Sequence, residues 1–237
     1  MKYLVRFADV NRPGSPAFRV REKRSIIIRY IIEHLENPKI SILDVGGTPE
    51  FWKNMAITGS EKCKIILLNR EFFTIDDYPY MTSIVGDGRD MAMFPDDMFD
   101  LVISNSVIEH VGNYTNQQQI ANEIKRVGKN YFVQTPNYFF PIEPHFLIPF
   151  FQFYPLRIRM FLLSHFNIGY YHKIRKQSDA FNIISSIRLL HKRDLMNLFP
   201  DSIIMKEKLC GVTQSLLVLG GTDMKRILSD MKKASYL

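Results

Sequence analysis

Cysteine is scarce in this sequence, and its scarcity argues against a fold held together by disulfides or by a zinc ion. The 237 residues include only two cysteines, Cys63 and Cys210. They lie far apart and form no C-x-x-C pair, so neither a disulfide framework nor a zinc site is indicated. The pattern fits a reducing compartment. We expect a cytoplasmic protein, with peripheral contact at the inner membrane face as a second option, and no metal in its site.

The sequence also lacks a secretory signal and the common nucleotide-binding motifs. Residues 1–15 contain no sustained apolar stretch and no small-residue cleavage site. No G-x-x-x-x-G-K-[ST] run occurs, and the turn after the first apolar strand offers only Gly46 and Gly47 where a dinucleotide fold needs G-x-G-x-x-G. Nicotinamide and nucleoside-triphosphate chemistry are therefore not expected.

Acidic residues are missing from one segment. Between Pro144 and Ser178 the chain has five basic residues and no acidic ones, so this segment supplies five of the seven net positive charges. It is also rich in Phe and Tyr, but Pro and Arg interrupt it too often for a membrane span of ~20 apolar residues. Residues 146–176 either lie in a membrane interface or form a helical lid over an apolar substrate pocket. We favour the lid, and both can hold at once.

The sequence does contain an alternation of short apolar strands and helices. The predicted strands are residues 40–45, 63–69, 82–87, 99–106, 130–137, 202–209 and 214–221, and the predicted helices are residues 22–35, 49–57, 116–128 and 192–200. This pattern predicts an α/β fold: a three-layer Rossmann-like sandwich with a mostly parallel sheet and a C-terminal antiparallel strand. We expect one domain over residues 1–237, with residues 1–20 loop-like and residues 138–178 inserted as an aromatic and basic lid.

Polar residues and glycines collect at the carboxyl ends of the predicted strands, where open α/β sheets bind their ligands. They are Asp44, Gly46, Gly47, Asn69, Asp87, Gly88, Arg89, Asn105 and, just beyond the fourth strand, His110. Glycine at 46 and 47 lets backbone amides approach a ligand, and the start of the next helix favours a negatively charged group. A ligand site is therefore predicted at this edge of the sheet.

Several runs resemble motifs of the class I methyltransferases that use S-adenosylmethionine. They are ILDVGG at the first strand, VGDGRDM at the third, FDLVISNSVIEHV at the fourth, TPN at the fifth, and the closing run LFPDSIIMKEKLCGVTQSLLV. The resemblance implies that Asp44 orients the glycine turn and the amino group of S-adenosylmethionine. It further implies that Asp87 accepts the adenine amino group, with Gly88 and Arg89 nearby, and that His110 faces the cofactor.

Two positions depart from that family pattern. The turn has two adjacent glycines where the family has three spaced ones. The second strand ends in Asn69, where the family has an acidic residue that holds both ribose hydroxyls. An amide can still accept one hydroxyl proton, although less strongly than a carboxylate, and Glu71 is the alternative acceptor.

The run TPNYFFPIEPHF carries the candidate catalytic residues. Its prolines fix a rigid path directly after the fifth strand, which places Glu143 and His145 near the mouth of the site. A histidine titrates near neutral pH, so His145 can remove a hydroxyl proton during methyl transfer. The alternative is a structural loop whose polar residues cap neighbouring backbone.

The resemblance implies an S-adenosylmethionine-dependent methyltransferase. We expect O-methylation of a small-molecule, sugar or lipid-linked acceptor. Two alternatives remain: a non-catalytic S-adenosylmethionine-binding protein, and a nucleic-acid methyltransferase that uses the basic segment for phosphates. A nucleic-acid substrate is disfavoured, because the fourth strand ends in SNSV rather than an N/D-P-P-Y/F run.

Overall fold

One mixed sheet forms the centre of the part of the chain that the structure describes. The computed structural model describes residue 12 and residues 14–55, 62–75 and 78–234. The strands are β1 (Ile40–Val45), β2 (Cys63–Asn69), β3 (Met81–Val85), β4 (Leu101–Asn105), β5 (Asn130–Pro136), β6 (Ile203–Leu209) and β7 (Val212–Gly221). They lie in the order β3-β2-β1-β4-β5-β7-β6. The first five run parallel, and β7 pairs antiparallel with both β5 and β6. The predicted sheet is confirmed.

The strand order reverses between β1 and β4, and this reversal positions the site. Asp44 near the end of β1 stands opposite Leu67 of β2 on one side and Ile103 of β4 on the other. The connections that leave β1 and β4 move apart at such a point, so a crevice opens beyond their carboxyl ends. The glycine turn after β1 and the polar residues after β4 therefore face one another across that crevice.

Helices cover both faces of the sheet. They are α1 (Pro16–His34), α2 (Pro49–Asn54), α3 (Tyr114–Val127), α4 (Leu156–His165), α5 (Gln177–Ser185), α6 (Lys192–Leu198) and α7 (Met224–Lys233), with short 3-10 helices at Ile108–His110 and Phe151–Phe153. One apolar cluster joins α1, α2 and α7 to one face, and a second joins α3 and α6 to the other. This is the predicted three-layer sandwich.

Helix α1 begins earlier than the sequence predicted. The Ser15 side chain accepts a hydrogen bond from the backbone N–H of Phe18 at 3.0 Å, and Pro16 takes the first helical position. The prediction of a loop over residues 1–20 is therefore wrong for residues 16–20, while residues 1–11 and 13 lie outside the described part. Residues 56 and 57 of the predicted helix 49–57 also lie outside it.

Helix α7 is the element that the sequence prediction missed. It buries Met224, Ile227, Leu228 and Met231, at the spacing of one helical face. This apolar spacing was present in the sequence, but it covers only a short stretch that directly follows the last strand. The helix packs in the same apolar cluster as α1.

Residues 138–185 lie between β5 and α6, and we call them the insert. They contain the 3-10 helix Phe151–Phe153, α4 and α5, which surround a small apolar cluster of their own: Phe146, Phe151, Leu163, Ile168, Ala180 and Ile184. The predicted segment 138–178 therefore ends inside α5. Within the described ranges, no helix is both long and apolar enough to cross a bilayer.

Candidate active site

The glycine turn after β1 borders a cavity of about 310 Å³ at the crevice. Gly46 has φ +78°, in the left-handed region, and its N–H donates to the Leu68 carbonyl at 2.8 Å. A Cβ on Gly47 would lie 1.7 Å from Oδ2 of Asp44, so no larger residue fits there without displacing that carboxyl group. The turn is thus held closely against the strand end, with its backbone facing the cavity.

Asp44 is a buried carboxyl group beneath this turn. It is 1 % exposed, and its Oδ2 accepts a hydrogen bond from the indole Nε1 of Trp52 at 2.7 Å. Its Oδ1 has no hydrogen-bond partner among the described residues. Burial raises the pKa of Asp44 to about 7, although the Trp52 hydrogen bond acts in the opposite direction. A buried acceptor of this kind is suited to a positively charged amino group.

Trp52 packs α2 against the sheet and is only 2 % exposed. Its hydrogen bond to Asp44 adds a polar role that the sequence did not reveal.

Arg24 is a residue of the first cavity that sequence reasoning missed. Arg24 belongs to α1, and together with Arg21 it lines the cavity that borders the glycine turn. Its guanidinium donates to Asn105 Oδ1 at 2.7 Å and to Glu207 Oε2 at 2.5 Å. Asn105 therefore lines the predicted cofactor cavity, but its carbonyl oxygen is already engaged. No local motif marks Arg24, because its place depends on how α1 packs across the crevice.

A second cavity, of about 280 Å³, adjoins the first at Gly46. Its lining is partly apolar, with Val45, Leu68, Val107, Val111 and Ile120, and partly polar, with Asn69, Arg70, Asp87 and His110. Gly88 also lines it, and a Cβ there would lie 2.6 Å from Val45 Cγ1. The two cavities together can receive an elongated ligand with a charged end near Asp44 and a flat group near Asp87.

Asn69 contributes to the glycine turn itself. Its Nδ2 donates to the Gly47 carbonyl at 2.7 Å, so the amide ties the end of β2 to the turn after β1. Its side-chain carbonyl is the atom that can accept a ribose hydroxyl. Glu71, the alternative acceptor, is exposed and lines neither cavity.

Asp87 and Arg89 form a close ion pair at the rim of the second cavity. Arg89 Nε lies 3.0 Å and 3.1 Å from the two carboxylate oxygens, and the Arg89 backbone N–H donates to Oδ1 at 3.0 Å. The Arg89 side-chain hydrogen bond, with smaller help from the charge of Arg70, lowers the pKa of Asp87 to about 2. Asp87 is therefore an ionised acceptor at neutral pH. Arg89 holds this carboxylate and is absent from the cavity lining.

Four titratable side chains meet where the insert touches the end of β4. Glu109 and His110 come from the 3-10 helix after β4, and Glu143 and His145 come from the insert. His145 Nδ1 lies 2.6 Å from Glu143 Oε1, and His145 Nε2 lies 3.1 Å from His110 Nε2. Glu109 Oε2 accepts from the Thr135 hydroxyl at 2.9 Å. His110 also lines the second cavity, so this cluster borders the predicted cofactor site.

The surroundings shift the pKa of three of these groups. Burial raises the pKa of Glu109 to about 7, and burial together with the neighbouring His145 lowers the pKa of His110 to about 4. Burial also acts to lower the pKa of His145, but the hydrogen bond and charge of Glu143 outweigh it, and that pKa lies above its ordinary value.

The cluster also has the composition of a metal-binding site. Glu109, His110 and His145 each offer a ligand atom, and these atoms lie within 4.8 Å of one another. No metal was expected from the sequence, where the two cysteines lack ligand spacing and the three residues of this cluster come from two distant parts of the chain.

Comparisons with known proteins agree with this architecture. Residues 53–131 match the family model described as a methyltransferase domain. A solved CurJ carbon methyltransferase superposes with a TM-score of 0.55 at 9% sequence identity, over 91% of this chain and 57% of that chain. A methyltransferase from Aquifex aeolicus gives a TM-score of 0.47 at 10% identity, over 89% and 93% of the two chains. None of the curated protein sequences matches this chain significantly.

The strand order and the crevice at its reversal define a Rossmann-like α/β fold of the methyltransferase type. The methyltransferase-domain match over residues 53–131 agrees with the resemblance to the class I S-adenosylmethionine-dependent methyltransferases. The match supports methyltransferase activity with S-adenosylmethionine as the cofactor. The residues fit that cofactor, since Asp44 offers an unpartnered buried oxygen beside a turn that a Cβ would fill.

Proposed function

We propose that this enzyme methylates an oxygen atom of a small-molecule, sugar or lipid-linked acceptor. The observation that carries this proposal is the buried Glu143–His145 pair, which the insert places against His110 at the edge of the cofactor cavities. A sulfonium methyl group is already activated, so the protein mainly has to align the donor and the acceptor. A hydroxyl acceptor additionally needs help to lose its proton, and an imidazole held by a carboxylate supplies that help.

The cofactor residues keep the roles that the sequence predicted, as proposals. Asp44 Oδ1 accepts from the amino group of S-adenosylmethionine, the N-terminus of α2 faces its carboxylate, and Asp87 accepts from its adenine amino group. The carbonyl of Asn69 accepts from one ribose hydroxyl. His110 lines the second cavity and contacts His145, so it would face a cofactor bound there.

A third cavity, of about 280 Å³, supports an acceptor with several hydroxyl groups. It lies between the insert and the residues that lead into α6, and it is lined by Glu143, the partner of His145. Two buried atoms in its lining side chains have no hydrogen-bond partner among the described residues: the acceptor Gln152 Oε1 and the donor Arg159 Nε. A hydroxyl both donates and accepts, so a sugar-like acceptor can satisfy both atoms. Tyr138 and His191 add ring surfaces at the same cavity.

His145 can act on an acceptor hydroxyl in two ways. Glu143 holds Nδ1, so the other ring nitrogen, Nε2, faces His110 and the cofactor side. That nitrogen either takes the hydroxyl proton itself or binds a metal ion that makes the hydroxyl more acidic.

We also propose that the insert touches an anionic membrane surface, which fits a lipid-linked acceptor. Phe150, Phe153, Phe161, Phe166 and Tyr170 are between 47% and 59% exposed. The basic side chains Arg157, Lys173, Arg175 and Lys176 are exposed on the same segment. Exposed aromatic rings beside cationic side chains suit the headgroup region of an anionic bilayer.

The acceptor atom is tested by product analysis. The purified enzyme is incubated with S-adenosylmethionine carrying a ¹³C methyl group and with fractionated small-molecule and lipid-linked saccharide extracts. We expect a product whose methyl carbon has the NMR shift of an O-methyl group. A product with the shift of a C-methyl or N-methyl group would refute O-methylation. Salt-sensitive labelling of RNA or DNA would instead support the nucleic-acid alternative.

A further inference from the structure

The two imidazoles at the edge of the cofactor cavities approach one another through their Nε2 atoms. These atoms lie 3.1 Å apart, and the rings stand at 89° with centroids 4.7 Å apart. Two histidine nitrogens bound to one tetrahedral zinc-like ion at about 2.05 Å would stand about 3.3 Å apart. The spacing is therefore close to that of two ligands that share one ion.

Glu109 supplies the third ligand atom. It is 0 % exposed, and its Oε2 accepts a hydrogen bond from the Thr135 hydroxyl. Its Oε1 is buried and lacks a hydrogen-bond partner within the same ranges. A buried carboxylate oxygen without a donor is costly unless a cation or a donor satisfies it. One Glu109 carboxylate oxygen and one ring nitrogen of each histidine lie within 4.8 Å of one another, so a cation between the three side chains could satisfy the carboxylate.

Glu143 holds His145 in the orientation that a metal ligand needs. Its Oε1 faces His145 Nδ1 at 2.6 Å, and its Oε2 accepts the backbone N–H groups of His145 and Phe146 at 2.8 Å and 2.7 Å. Glu143 is 2 % exposed, so these contacts are well shielded from water. A carboxylate on one ring nitrogen leaves the other with its lone pair free for a metal, as in carboxylate–histidine–metal sites.

We propose that Glu109, His110 and His145 bind a divalent transition-metal ion of the zinc class, with Glu143 orienting His145. Two imidazoles and one carboxylate suit zinc, iron, cobalt or manganese better than magnesium or calcium, which prefer all-oxygen sites. Three protein ligands leave a coordination position open, as in catalytic zinc sites. His110 is exposed, so the open position can face the crevice.

This inference rests on the proposed function and makes it more specific. The open position takes the acceptor oxygen, and the ion increases the acidity of its hydroxyl, whose proton passes to water. Methyl transfer then forms one O–C bond on the acceptor and breaks one C–S bond in the donor. The ion, rather than a free imidazole, is the group that activates the acceptor.

The test is metal binding by the full chain in the absence of both substrates. The protein is stripped with a chelator and titrated with Zn²⁺ by calorimetry, and with Co²⁺ by visible absorption. We expect one ion per chain, Co²⁺ bands of a site with nitrogen and oxygen ligands, and no heat with Mg²⁺. His110→Ala and His145→Ala should each weaken Zn²⁺ binding more than about 100-fold, and Glu143→Gln by about 10- to 100-fold.

His172→Ala is the matched control, because His172 is an exposed histidine of the insert outside the cluster. It should bind Zn²⁺ as the parent does. His110 is also exposed, so its replacement tests the site with little risk to folding. Equal Zn²⁺ affinity in the parent, His110→Ala and His145→Ala, or no bound ion at all, would overturn the proposal and leave a hydrogen bond between two imidazoles. Binding of S-adenosylmethionine to the stripped protein tests the methyltransferase assignment separately.

Discussion

The cofactor side of the crevice and the insert build their polar sites in different ways. On the cofactor side, apart from the contacts that Arg24 makes from α1, the contacts are short in sequence, such as Trp52 to Asp44, or join adjacent strand ends, such as Asn69 to Gly47. On the side of the insert, His145 meets a residue 35 positions earlier in the chain. The first site is set as soon as the sheet forms, whereas the second needs the insert to dock. Cofactor binding and acceptor activation should therefore be separable by mutation.

The largest expected effect lies on the side of the insert. His145→Ala removes the imidazole that we propose acts on the acceptor, directly or through an ion, so the rate of methyl transfer should fall about 1000-fold. The Kd for S-adenosylmethionine, measured by calorimetry, should change by less than about threefold. His172→Ala should leave both quantities unchanged. A His145→Ala enzyme with parental turnover would remove this residue from the reaction.

The next largest effect is expected on the cofactor side, and it concerns the affinity for S-adenosylmethionine rather than activation of the acceptor. In Gly47→Ala the new Cβ would lie 1.7 Å from Asp44 Oδ2 and would displace the carboxyl group or the turn. We expect the affinity for S-adenosylmethionine to fall about 100-fold, or about 3 kcal/mol. Gly211→Ala is the control, because Gly211 has φ +81° but no atom within 4 Å of its added Cβ. A Gly211→Ala protein that lost cofactor binding equally would mean that general destabilisation, not the turn, is responsible.

A smaller effect follows from the pKa of Asp44, which burial raises to about 7. Between the ordinary pKa of an Asp carboxyl and pH 7 the folded chain holds a proton that the unfolded chain has lost. The contribution of Asp44 to the free energy of unfolding therefore falls as the pH rises to about 7, by at most about 1.4 kcal/mol per pH unit, and is level above it.

Asp44→Asn should remove the contribution of Asp44 to the pH dependence of the free energy of unfolding, as measured by denaturant titrations. Glu109, whose pKa is also raised by burial, should still contribute to that pH dependence in the variant. Binding of the cofactor amino group needs the ionised form, so affinity should rise by up to tenfold per pH unit below pH 7 in the parent and stay level in Asp44→Asn. A parent affinity that does not change over this range would contradict the role given to Asp44.

The smallest expected effect concerns the outer surface of the insert. Phe161 is 54% exposed, and Phe161→Ser should weaken binding to phosphatidylglycerol-containing vesicles about three- to fivefold in a flotation assay. Phe72, which is 67% exposed and lies outside the insert, provides the control Phe72→Ser. Equal loss in both variants, or no vesicle binding by the parent, would remove the membrane contact.

The strands and the cofactor edge could be predicted because their signals are local. Buried parallel strands appear as continuous apolar runs, and the strand-end rule then brings Asp44, Asn69, Asp87 and Asn105 to one edge of the sheet. The hydrogen-bond partners of those side chains were harder to predict from the sequence. The sequence suggested Asn69 as a ribose ligand, but its amide nitrogen holds the Gly47 carbonyl, and Arg24 arrives from a helix whose start was placed too late.

The cluster of Glu109, His110 and His145 could not be predicted for a different reason. His110 was recognised beside the fourth strand and His145 in the proline-rich run, whereas Glu109 was not among the candidates. Their approach depends on the path of the chain after β5, and no spacing in the sequence encodes that path. The expectation of no metal came from the absence of local ligand spacing, which says nothing about sites assembled across long separations.

Trp52 gives the molecule an optical property of its own. It is the only tryptophan in the chain, and its indole N–H is bonded to the carboxyl group proposed to receive the cofactor's amino group. Any charge that arrives at Asp44 alters the electric field at that single ring. The intrinsic fluorescence of the enzyme should therefore report occupancy of the methyl-donor site, without a label and without turnover.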